Sequence, residues 1–143
     1  MQFVSRIIIL LGGLFLVTSG WGLEASVSGV AVICHPGTNI SDTEVSEIYK
    51  GVKRFSESQK LFPIDNAEVQ DEFIRNLLEL DIGSYHSIWE KLAFQDGVVP
   101  PKRVSNDREV LEFVEKHPGA IGYIHTFAGG EWKAKVKTVK EFQ

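Results

Sequence analysis

The stretch FPIDNAEVQDEF, residues 62–73, reads as the end of a buried strand running into the first turn of a helix. Such a junction presents free backbone N–H groups, the common place for a protein to hold an oxyanion. Here the first turns carry Glu68, Asp71 and Glu72, so the chain itself supplies negative charge. Asp65 and Glu68 stand at capping-box spacing, an arrangement in which Glu68 folds back over the donors that an anion would need. The favoured expectation is a self-capped helix with no ligand. The alternative is that these acids meet a cation or a basic partner.

Other chemistry is sparse. His35, His86, His117 and His125 show no metal-ligand spacing along the chain, and the single cysteine, Cys34 in GVAVICHP, reads as a small buried core residue. There is no nucleophile elbow, P-loop or dinucleotide fingerprint. Asp71 and Glu72 are adjacent and point to different sides of a helix, a poor arrangement for a paired acid and base. The sequence therefore predicts no catalytic residue, no metal and no cofactor, and a protein that is not an enzyme. The NIS triplet at Asn39 fits a glycosylation sequon, a pattern too short to carry weight.

The chain opens with Arg6, an apolar run from Ile7 to Val17, and small residues up to Ala25, the order of a secretory signal peptide. The apolar run is shorter than the roughly 20 residues that a membrane span needs. The expectation is a signal over residues 1–25, one domain over 26–143, a periplasmic location, and no stable membrane insertion after cleavage. Acidic residues outnumber basic ones by 19 to 15, which gives no reason to expect nucleic acid as a partner.

Val27 to Cys34 is apolar on both parities, as in a strand covered on both faces. Ser41 and Glu44 have capping-box spacing ahead of a short helix through Val45, Ile48 and Tyr49, with Gly51 as its terminator. QKLFPID is expected as a second strand with Pro63 near its end, followed by a helix from Asp65 with Val69, Phe73, Ile74 and Leu77 inward. Gly83 should break that pattern before a third helix, SYHSIWEKLAF. Asn106 and Glu109 mark another cap, His117 to Gly119 a stop, and AIGYIHT a strand. EWKAKVKTVKEF alternates apolar residues with Lys133, Lys135 and Lys137, the signature of a lysine-protected edge strand. The fold class is α/β, with a central sheet and helices on both faces.

VAVICHP, VSEIYKGVKRF, WEKLAFQDG and PPKRVSNDREVLEFVEKHPGAIGYI, in this order over about residues 29–140, resemble the type 2 periplasmic binding-protein fold. They are most similar to small secreted proteins labelled as phosphate ABC transporter substrate-binding proteins. The resemblance implies a single lobe, the second, of a two-lobed fold. In the resembling phosphate binders the junction matching FPIDNAEVQDEF carries an arginine, an aspartate and a Ser-Gly-Thr turn that grip the oxyanion. No Arg, Ser, Gly or Thr occurs from Leu61 to Glu72. Two functions follow: an exported interaction or accessory module with a periplasmic or membrane protein partner and no strong phosphate binding, or a solute-binding component for phosphate or another small oxyanion. The candidate ligand residues are His35, Thr38, Asn39 and Ser41 after the first strand, Asp65 and Asn66 after the second, and Tyr123 opposite.

Overall fold

The computed structural model describes residues 29–126 and 130–143. The expected signal segment, and the start of the strand expected from Val27, lie outside them. The elements run β1 (Val30–Cys34), a 3-10 turn (Asp42–Glu44), α1 (Val45–Tyr49), β2 (Phe55–Ser56), β3 (Gln59–Lys60), β4 (Phe62–Asn66), α2 (Gln70–Leu77), α3 (Ile82–Asp96), β5 (Lys102–Val104), α4 (Asp107–Lys116), β6 (Ala120–His125), a second 3-10 turn (Glu131–Ala134) and β7 (Lys137–Phe142). Five strands form one sheet in the order β5-β4-β6-β1-β7, and β2 and β3 pair as a separate hairpin.

Side chains alternate across this sheet and set its two cores. Val30, Val32, Cys34, Ile121 and Tyr123 pack with residues of α1, α2 and α3 on one face. Ala31, Ile33, Ile64, Ala120 and Ile124 pack with Val110 and Val114 of α4 on the other. Helices thus cover both faces, as the residue pattern predicts. Gly122 lets α4 approach closely, since a Cβ there would lie 2.5 Å from a methyl of Val110. Lys137, Lys140 and their neighbours occupy β7, an edge strand, but Glu131–Ala134 forms a 3-10 turn rather than the first half of that strand.

Strand direction decides the placement of the loops. β4 runs parallel to β5 and β6, whereas β1 runs antiparallel to both of its neighbours, β6 and β7. The carboxyl ends of β4, β5 and β6 therefore share one end of the sheet with the start of β1, and the loop after β1 emerges at the other end.

Two of the expected caps form. Glu44 accepts from the Ser41 N–H at 2.9 Å, and Asn106 Oδ1 accepts from the Glu109 N–H at 3.0 Å while Glu109 accepts from the Ser105 N–H at 2.7 Å. Asn106→Ala should cost about 0.5–2 kcal/mol, the usual worth of an N-cap, read as a lower urea midpoint with an unchanged slope.

The third cap does not form. α2 starts at Gln70 with Val69 as its N-cap, and Asp65 lies inside β4. Its carboxylate is drawn into the core by two tyrosine hydroxyls, so it cannot serve the helix. Pro63 falls near the start of β4, where β4 joins the sheet, and not near its end. Gly83 sits in the first turn of α3, which Asp81 caps by accepting from the Ser84 N–H at 2.7 Å.

Candidate functional site

The carboxyl ends of β4, β5 and β6 bring the N-termini of α2 and α4 side by side. Asn66, the last residue of β4, is fully buried and ties this end together. Its Nδ2 donates to Asp107 Oδ1 at 2.7 Å and to the Tyr123 carbonyl at 3.1 Å, and its Oδ1 accepts from the Glu68 N–H at 3.0 Å. Asp107, the first residue of α4, also accepts from the His125 N–H at 3.3 Å and pairs with His125 Nδ1 at 2.9 Å. Glu68 reaches across from the β4–α2 loop and accepts from the Asp107 N–H at 3.3 Å. Two carboxylates thus engage donors at the mouth of the site, and the helix dipoles favour them there.

Glu68, Asp107 and His125 place ligand atoms within 4.8 Å of one another, a grouping that could hold a divalent cation. Spacing along the chain does not reveal it, because the three residues come from three elements, and each already has a protein partner.

Beneath this layer lies Asp65. The Tyr85 hydroxyl donates to its Oδ1 and Oδ2 at 3.0 and 2.9 Å, and the Tyr123 hydroxyl donates to Oδ1 at 3.0 Å. Only 3% of Asp65 is exposed, and burial pushes its pKa up to about 6 despite the two hydroxyls that favour the charged form. Burial and the Asp65 charge hold both tyrosines well above the usual phenol range. Phe73 stacks on Tyr123 at 3.8 Å between ring centroids, which closes the pocket around the carboxylate. Asp65 is a buried acceptor built into the core, turned away from the site mouth.

Beside the mouth, a cavity of about 380 Å³ opens at the start of α2. Glu68, Asp71 and Glu72 line it together with Arg75 and Arg103. Arg103 Nε donates to Gln70 Oε1 at 2.9 Å. The junction lacks a basic residue in its own stretch of sequence, but the parallel register sets Arg103 of β5 opposite Asp65. No sequence motif marks Arg103; only strand pairing brings it there. Three carboxylates still face two guanidinium groups.

The candidate residues after β1 stand at the opposite end of the sheet. Thr38 is buried, donating to Gln59 Oε1 at 3.1 Å and accepting from the Gly119 N–H at 2.8 Å. His35 Nδ1 accepts from the Gly37 N–H at 3.0 Å, the Asn39 carbonyl accepts from Ser56 Oγ, and Ser41 starts the turn before α1. The structure brings Asp65, Asn66 and Tyr123 together, and separates them from His35, Thr38, Asn39 and Ser41. The first group is joined by Glu68, which the sequence marks only as an acid of this junction, and by Asp107 and His125; none of the three stood among the candidate ligand residues.

No protein-family model and no curated protein matches the chain. Solved structures do. A possible phosphate binding protein from Planctomyces limnophilus superposes with a TM-score of 0.52 at 15% identity, over 79% of this chain and 41% of that one. A putative phosphate ABC transporter substrate-binding protein with bound phosphate from Clostridium perfringens gives 0.48 at 18% identity, over 79% and 44%. An ABC-type phosphate transport receptor from Vibrio cholerae gives 0.46 at 17% identity, over 79% and 46%. The chain spans less than half the length of each of these structures. Its fold is that of one lobe of a type 2 periplasmic binding protein. Among the described residues no helix is long and apolar enough to cross a membrane.

Proposed function

We propose that this lobe serves as an exported interaction or accessory module and does not itself bind phosphate strongly. The observation that carries this reading is that the chain's own side chains, two of them carboxylates, already take the donors where α2 and α4 begin. Glu68 takes the Asp107 N–H, and Asp107 takes donors from Asn66 and His125. An incoming phosphate would have to displace them and would meet like charge.

Arg75 and Arg103 do not reverse this balance. Both are exposed, and near a surface an ion contact at 4 Å is worth between about 1 and 4 kcal/mol before screening by salt. Micromolar affinity needs about −8.2 kcal/mol. Calorimetric titration of phosphate into the purified protein at low salt should therefore show no saturable micromolar binding. Saturation in that range would restore the solute-binding reading.

Export through a signal ending near Ala25, and a periplasmic location, belong to the same proposal. Support comes from the order of charge, apolar core and small residues in the first 25 positions. Mass spectrometry of the protein from the periplasmic fraction should find a chain that begins after the signal; one that begins at Met1 would contradict it.

A further inference from the structure

At the end of the sheet remote from Asp107, a groove of about 490 Å³ opens where β4 and β5 begin. The β2–β3 hairpin, the loop after α3 and Phe113 of α4 form its walls. Phe55, Phe62 and Val99 line it while remaining 54%, 42% and 83% exposed, and Pro100 and Pro101 stiffen one wall. A large aromatic side chain left half in water next to others of its kind marks a contact surface more often than a scattered one does.

The charge around this groove runs against that of the chain. The protein as a whole has 19 acidic and 15 basic residues, but the groove is lined by Lys53, Arg54, Lys60 and Lys102 against the single carboxylate of Asp96. Lys60 and Lys102 lie over the rings of Phe62 and Phe113 at 5.5 and 5.7 Å, which keeps cation and apolar surface together. Arg54 pairs with Asp96 at 3.5 Å, and Lys53 pairs with Glu44.

We infer that this groove docks an acidic segment of a partner protein that carries apolar anchors. The inference rests on the interaction-module reading and names its surface and the chemistry of the partner. Lys53 and Arg54 before the hairpin are partly neutralised by Glu44 and Asp96, while Lys60 in β3 and Lys102 in β5 offer cations on separate parts of the rim. A ligand with one carboxylate would meet one of them, whereas a segment with several carboxylates flanking an apolar side chain meets the rim and fills the floor at once. Electrostatic complementarity of this kind sets register and partner choice.

The test uses the purified protein and an array of short synthetic peptides in three matched forms: Asp/Glu-rich with Leu or Phe anchors, Lys-rich with the same anchors, and Asp/Glu-rich with Ser in place of the anchors. Laurate and inorganic phosphate complete the panel, with affinity and amide chemical shifts as readouts. The expected result is binding of the first form alone, with shifts confined to residues 53–62 and 96–102. Lys60→Glu combined with Lys102→Glu should weaken it by at least about tenfold with melting temperature unchanged, and added salt should weaken it too. Val99→Ser, at an exposed position, removes apolar surface from the wall without changing charge and should also weaken binding. No binding of the acidic anchored peptides, equal binding of the Lys-rich form, saturation of the same amides by laurate, or self-association through them would each overturn the docking inference. Phosphate saturating the amides of Glu68 and Asp107 would instead overturn the interaction-module reading beneath it.

Discussion

Asp65→Ala should lower the unfolding free energy by about 2–5 kcal/mol, because it leaves two buried tyrosine hydroxyls without an acceptor at about 1–3 kcal/mol each. Tyr85 and Tyr123 are each at most 1% exposed, so water does not readily replace the lost carboxylate. Relief of a desolvated charge offsets part of the loss. The urea midpoint reads it, and a midpoint equal to that of the wild type would show that the hydroxyls find other acceptors.

The same residue gives a pH dependence with a definite sign. The folded pKa of Asp65 is raised from 3.8 to about 6, mainly by burial. Between these values the folded protein holds a proton that the unfolded chain has released. Stability from this group is therefore greatest at low pH and falls as pH rises through the window, by about 3 kcal/mol in total. Asp65→Asn removes the titration while keeping a carbonyl acceptor. Its stability relative to the wild type should rise by about that amount between about pH 4 and pH 7. A constant difference across the window would mean that Asp65 titrates normally.

Gly119→Ala is the second large effect. Gly119 has φ +88°, and a Cβ there would sit 2.2 Å from the Lys60 carbonyl oxygen. The Gly119 carbonyl also accepts from the Phe62 N–H at 2.8 Å, and its N–H donates to Thr38, so the backbone cannot simply move away. Left-handed strain and overpacking together should cost about 2–5 kcal/mol, seen as a shift of the urea midpoint to lower concentration. Gly97→Ala is the control: Gly97 has φ +64° and nothing within 4 Å of its Cβ position, so only the strain remains, about 1–2 kcal/mol.

Legibility followed sequence distance. The Ser41–Glu44 and Asn106–Glu109 caps were readable because donor and acceptor lie three residues apart. Asp65 and Glu68 have the same spacing, yet Asp65 bonds to Tyr85 and Tyr123, 20 and 58 residues away. A local rule cannot weigh those partners. The strands at Val30–Cys34 and Ala120–His125 were legible from apolar runs, but a run apolar on both parities shows burial without direction. The antiparallel insertion of β1 carried His35 and Thr38 to the far end from Asn66 and divided the candidate residues. Short elements escaped as well: β5 has three residues and β2 and β3 two each, too few for a period to show. With β5 unread, Arg103 and the proximity of Asp107 to Glu68 were also unread.

Phosphate titration followed through the backbone amides of Glu68 and Asp107 by heteronuclear NMR tests most directly the claim that the chain's own side chains fill its anion position. These are the two N–H groups that Asn66 and Glu68 engage. The account predicts no saturable shift of either amide at micromolar phosphate in the wild type, and a larger response at high phosphate in Glu68→Gln, which removes one negative charge from the mouth. A saturating micromolar shift of both amides in the wild type would contradict it.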